Sequence, residues 1–224
     1  VIIRIDGKDY TVFTSWSDIT YSHFCDIVKY SDAGIVERLN AYTRLPDDII
    51  NKLTVKQLEA VAGMVAWMDE YENCLLFVKG YEDDLSIGER TYGELETCKA
   101  YLKDKPLLAL GKLVEVYYGE NIKDVLAIDA MGRGLSVLTK IDLFLKKFPE
   151  LYEYEPTAEE VEAGVEDFNK VGSFYTVKKL AEKHSKHPDE ILQWQALIVY
   201  RFLQTDAIEA RVNRNLLKIY SRKK

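Results

Sequence analysis

The sequence has few of the residues that carry out chemistry: three cysteines and three histidines in 224 positions. Cys25, Cys74 and Cys98 are far apart, odd in number and without metal-ligand or redox spacing. They read as reduced core residues of an intracellular protein. The close pair His184-x-x-His187 stands beside Glu182, but Pro188 follows it and no third ligand lies at metal spacing. It reads as surface histidine in a loop. His23 and Cys25 are two apart on a helix and point away from each other. There is no G-x-S-x-G elbow, and Gly132-Arg133-Gly134 lacks the third glycine of a phosphate loop. No apolar run approaches the ~18–20 residues of a membrane span. No signal peptide opens the chain, which starts without Met. These absences leave no motif for an active site, a metal or a cofactor. The expectation is a non-enzymatic protein without a cofactor and without a membrane segment.

What is present points to contact surfaces. The hydrophobic fraction of 47% is enough for a real core, and 15 tyrosines offer apolar area with a polar tip. Net charge is −7, unevenly spread. Arg211, Arg214, Lys218, Arg222, Lys223 and Lys224 form a basic end without an acid, so the rest of the chain carries 24 bases against 37 acids. An acidic body disfavours binding to phosphate backbones. The basic end either complements a helix dipole or forms an arm. The strongest opposite block is 150–170, with eight acids, Glu159, Glu160 and Glu162 among them, against Lys170 alone. The split suggests one copy's basic end docking on another's acidic block, and hence a homo-oligomer.

Hydrophobic periodicity predicts a mostly α-helical, bundle-like domain with a small N-terminal β-hairpin. IIRIDGKDYTVF, residues 2–13, alternates and turns at Asp6-Gly7. Thr20 or Asp18 caps the next helix, with Phe24, Ile27 and Val28 as its stripe. Helices follow at 35–45 and, from Pro46, through Leu53, and Thr54 caps a helix at 55–71. CLLFVKG, 74–80, reads as a short strand. Thr91 with Glu94 forms a capping box, and Pro106 opens a helix. Gly132 and Gly134 mark a break or a close crossing within 122–148, and Pro149 ends that stretch. Thr157 caps a helix with Val161, Val165 and Phe168 as its stripe. The best boundary lies at 150–157. It divides a hairpin and helical body, 1–150, from a C-terminal helical region, 151–224, which can equally be one continuous domain. No internal repeat is visible.

TVKKLAEKHSKHPDEILQW, 176–194, has the pattern of a DNA-reading helix-turn-helix. The second helix of such a unit offers basic or amide side chains at its N-terminal end. Here that end is Pro188-Asp189-Glu190, whose carboxylates repel phosphate. The residues from Ala196 to Leu203 are apolar nearly all round, which reads as buried. A helical hairpin built into the core is the better reading, and a DNA-binding regulator is the alternative.

Two segments resemble proteins of tailed bacteriophages. GKDYTVFTSWSDITYSHFCDIVKY is similar to an opening in which a G-K-x-Y strand leads to an S-W-x-x-[IL]-T helix. AGVEDFNKVGSFYTVKKLAEKHSKHPDEILQWQALIVYRFL is similar to the C-terminal part of such proteins, tail assembly chaperones among them. Residues 33–150 lie outside the resemblance. It implies a virion or tail assembly protein, a tail assembly chaperone in particular, that works through contacts with other phage structural proteins. Its place would be the virion, or the host cytoplasm during assembly. The chain is longer than a minimal chaperone, which leaves a ring, connector or packaged virion component as the alternative.

Overall fold

The computed structural model describes residues 1–5, 7–78, 80–81, 84–104, 106–152 and 156–221, without the side chains of 104, 159, 166, 168 and 169. Strands β1 (Ile2–Ile5) and β2 (Lys8–Thr11) form an antiparallel hairpin in the register Ile2↔Thr11 to Ile5↔Lys8. Gly7 supplies the positive φ, +76°, that the turn requires; its neighbour Asp6 lies outside the described residues. Helices then run in the order α1 (Tyr21–Tyr30), α2 (Ile35–Thr43), α3 (Asp47–Ile50), α4 (Val55–Val65), α5 (Tyr92–Asp104), α6 (Pro106–Tyr118), α7 (Ala127–Leu145), α8 (Ala158–Glu162), α9 (Phe168–Val171), α10 (Ser173–His184), α11 (Pro188–Leu192) and α12 (Ala196–Ser221). The fold is mostly α-helical with one small hairpin, as the periodicity predicts.

The chain divides into two compact units. One is Val1–Asp83 with Tyr101–Leu138, and the other is Asp84–Ala100 with Thr139–Lys224. The expected boundary at 150–157 falls inside the second unit. Glu150 accepts a hydrogen bond from Gln204 at 2.7 Å, and Phe148 packs on Tyr200 with ring centroids 5.2 Å apart. These contacts tie the segment before 150 to α12.

In the first unit, Thr20 caps α1, its Oγ1 accepting from the His23 amide at 3.4 Å. Phe24 and Ile27 are buried from that helix. The backbone just before α1 pairs with the backbone just before α7. Tyr21 N–H donates to Val125 at 2.7 Å, and Ala127 N–H donates to Ile19 at 2.7 Å. Gly134 on α7 is a close crossing, since a Cβ there would overlap the Leu110 carbonyl of α6. Gly111 likewise leaves room for the Tyr21 ring, whose hydroxyl donates to the Leu108 carbonyl at 2.5 Å.

The second unit repeats this device. A three-residue 3-10 turn precedes Thr91-Tyr92, as Trp16–Asp18 precedes Thr20-Tyr21. Thr91 and Glu94 cap α5 reciprocally, at 2.8 and 3.2 Å. Tyr92 N–H donates to Trp194 at 2.8 Å, and Ala196 N–H donates to Arg90 at 2.7 Å. Each bridge thus joins a Thr-Tyr helix start to a long helix that begins on alanine. The shared residues are a serine before each 3-10 turn, Ser15 and Ser86, and the Thr-Tyr pair that follows, too few to show as a repeat. The unit's core gathers Ile141, Phe144, Phe148, Val177, Leu180, Ile191, Val199 and Tyr200.

Five expectations need correction. The strand expected over 74–80 is not formed at residues 74–78: a 3-10 segment runs from Ala66 to Phe77, and Lys79 lies outside the described residues. The helix expected over 55–71 is shorter: α4 ends at Val65 (φ −111°, ψ 1°), and Glu70 inside the 3-10 segment leaves helical geometry (φ −95°, ψ 52°). The helix expected after Thr157 is broken, with Gly164 at φ +83° between α8 and a 3-10 turn at Val165–Asp167. The long C-terminal helix does not begin at Pro188, because α11 stops at Leu192 and the bridge at Gln195 separates it from α12. The stretch from Ala196 to Leu203 is not buried all round. Leu197 and Ile198 are exposed, and only Ala196, Val199 and Tyr200 are buried.

Candidate protein-contact surface

The 26-residue helix α12 changes character along its length. Its first turns bury Ala196, Val199 and Tyr200. From Ile208 to Ser221 every residue is exposed except Arg214, which is half-buried. This exposed half is apolar for much of its surface. Ile208, Val212, Leu216 and Ile219 recur at spacings of four, four and three, which puts them on one stripe. Leu217, 69% exposed, and Tyr220, 64% exposed, widen the apolar area. These side chains leave the second half of α12 with much exposed apolar area interspersed with charge.

A groove of about 1010 Å³ runs beside this half-helix. Leu203, Ala207, Ala210 and Leu217 of α12 line it, with Leu151 and Tyr175. Arg211, Arg214 and Lys218 also line it, as does Glu150. The small residues Ala207 and Ala210 leave space for another backbone to come close. Gln204 donates to Glu150 and holds that carboxyl below the usual carboxylate range, with smaller contributions from its own backbone amide and from the charges of Arg211 and Arg201. Part of the basic end therefore stands near an acidic residue of its own chain.

The expected contact residues are distributed as follows. Arg211, Arg214 and Lys218 come together on the groove. Arg222, Lys223 and Lys224 lie outside the described residues, as does the side chain of Glu159. Glu160 is half-buried and caps its helix, accepting the Thr157 amide at 2.8 Å. Glu162 is exposed, and so is its neighbour Val161. Charge alone missed the apolar half of the surface. The signal was present in RVNRNLLKIY, where leucine, isoleucine and tyrosine alternate with the bases.

The other chemical candidates do not line this groove. His23 is buried and its Nε2 lies 2.7 Å from the Ala41 carbonyl. Burial first, and then the Arg44 charge, lower its pKa. Cys25 lines a separate cleft of about 490 Å³ with Tyr21 and the Lys112–Glu115 ion pair, 2.5 Å apart. Burial pushes the Cys25 thiol up, which keeps it protonated at neutral pH. His184 and His187 serve different purposes. The His184 ring is half-buried against Trp194 and Phe202, at centroid distances of 5.3 and 4.5 Å, and so is not the surface histidine expected. His187 is exposed and caps α11, its Nδ1 accepting from the Asp189 amide at 3.3 Å. Among the described residues there is no group of three potential metal ligands.

The helix-turn-helix likeness loses its reading helix. The element after the α10 turn is five residues long and offers Asp189 and Glu190. Glu190 accepts the His187 amide at 3.0 Å and then the Lys186 ammonium, which together lower its pKa. Among the described residues, no helix is long and apolar enough to cross a membrane. No protein-family model, curated protein or solved structure matches the chain.

Proposed function

We propose that this chain is a non-enzymatic structural or assembly protein of a tailed bacteriophage, acting through protein–protein contacts. Its first form is a tail assembly chaperone, and its second a ring, connector or packaged component of the virion. Its place is the virion, or the host cytoplasm during assembly, and its partners are other phage structural proteins. The observation that carries the reading is the second half of α12, a basic and apolar half-helix exposed beside an open groove. Such a surface suits recognition of another protein, with apolar residues supplying affinity and charge supplying register. The opening and closing segments that resemble phage assembly proteins support the same reading.

The test is a phage genome in which this gene is interrupted, complemented in trans by the wild-type gene or by Leu217→Asp. The wild-type gene restores normal particles, and the Leu217→Asp gene gives the same defective assembly as no gene. Normal, infectious particles without the gene would overturn the assembly role.

A further inference from the structure

We infer that the face of α12 turned away from the groove pairs with the same face of a second copy, as an antiparallel two-fold dimer. The inference goes beyond the groove reading, and either can fail without the other. At about 100° per residue, Ile208, Val212, Leu216 and Ile219 share an arc of about 80°. The groove residues Leu203, Ala207, Ala210, Arg214 and Leu217 lie on the opposite side of the helix. Stripe and groove are therefore separate surfaces. The four stripe residues are 36%, 49%, 43% and 49% exposed in chain order.

Helix α7 shows that this stripe is not what the motif requires. The bridges Thr20↔Leu126 and Thr91↔Gln195 set the two helices in register, Leu126 against Gln195. On that register Thr139, Leu143 and Lys147 stand where α12 has Ile208, Val212 and Leu216. All three are exposed. The matching face before α7 ends and just after it is left to water and is mostly polar, whereas on α12 it is aliphatic at every turn. Four aliphatic side chains in line add stability only when a partner removes them from water.

A second copy supplies that partner, because the stripe is self-complementary about an axis near Arg214. Ile208 then meets the second copy's Ile219 and Val212 meets its Leu216, and symmetry repeats both layers. The axis also brings Glu209, at the border of the stripe, to the second copy's Tyr220, whose hydroxyl can donate to it; Tyr220 is 64% exposed. Antiparallel pairing sets Glu209 level with the second copy's Lys218 and opposes the two helix dipoles. A parallel pair would set Lys218 level with Lys218 and Glu209 level with Glu209. Each copy offers the same patch, so the contact closes as a dimer. Four side chains per copy fall below the roughly 1,200 Å² of a standard stable interface. The dimer is therefore weak and forms as concentration rises.

The experiment uses the full chain, the stripe variants Val212→Asp and Leu216→Asp, and the groove variant Leu217→Asp. Circular dichroism shows that each is folded; Val212→Ser or Leu216→Ser takes the place of a stripe variant that is not. Sedimentation velocity over a range of concentrations reads the association. The wild type and Leu217→Asp form a dimer and nothing larger. Each stripe variant weakens that dimer by at least about tenfold, because a carboxylate without a partner enters the seam. A wild type that stays monomeric at every concentration overturns the inference, as do stripe variants that associate like the wild type. A monomeric wild type whose stripe variants still fail to restore particles gives the stripe to a different protein, which overturns self-pairing and leaves the assembly role standing. Oxidative cross-linking of Ile208→Cys and Ile219→Cys reads the orientation, against the wild type with its three native cysteines. An equimolar mixture of the two cross-links, and neither alone does so beyond the wild type. Cross-linking of each variant with itself overturns the antiparallel dimer.

Discussion

Helices α7 and α12 begin alike and end differently. Each starts on an alanine just after a backbone bridge to a Thr-Tyr helix start. Along α7 burial continues, through Ala127, Ala130, Met131 and Val137 and then through Ile141 and Phe144. Along α12 it stops at Tyr200. The exposed half nevertheless keeps isoleucine, valine and leucine at helical spacing. Isolated helices of this length are marginal in water, since most helical stability comes from packing. The difference teaches that one device serves two ends: α7 spends its apolar surface on the core, and α12 leaves half of its own exposed.

The sharpest way to break that comparison is to truncate side chains on each side of it. Phe148, fully buried against Phe144 and Tyr200, should cost about 3–5 kcal/mol on Phe148→Ala, read by urea denaturation. A loss under about 1 kcal/mol would mean that this cluster is not a packed core. Next in size is Gly134→Ala, which drives a methyl into the Leu110 carbonyl and should cost about 1–3 kcal/mol, seen as a lower melting temperature. An unchanged melting temperature would dissolve the close crossing.

A smaller effect comes from His23. Burial lowers its folded pKa, so the unfolded chain binds the proton first. Its contribution is complete above the unfolded value of about 6.5 and is lost as pH falls below it toward the folded pKa. The unfolding free energy should therefore fall on acidification by up to about 1.4 kcal/mol per pH unit over that window. That slope should flatten in His23→Gln, measured by urea midpoints between pH 7 and pH 5. The smallest effect belongs to the arm: Ile219→Asp should change the stability of the monomer by less than about 0.5 kcal/mol. A larger loss would show that α12 is packed to its end.

Much of the fold is legible in the sequence because its signals are local. Thr54, Thr91 with Glu94, and Thr157 all cap the helices predicted for them; Gln57 and Glu160 complete two of those caps. Gly134 is a close crossing, one of the two readings its sequence allows. What is not legible depends on distant partners. Cys74 to Phe77 is a short apolar run, equally compatible with strand and helix, and its 3-10 form follows the break at Glu70. The run from Ala196 to Leu203 is apolar on several faces, and composition alone does not say which face meets a neighbour. Of the residues that line the groove, charge located Arg211, Arg214 and Lys218. The groove needed α10 and the 3-10 turn at Pro149–Leu151 to be placed beside them.

The most direct test of α12 as a contact surface compares the full chain with one ending at Ala210, by sedimentation velocity over a range of concentrations. The shortened chain should melt at the same temperature and sediment as a monomer while the full chain assembles. Equal sedimentation of the two, at every concentration, would contradict the account.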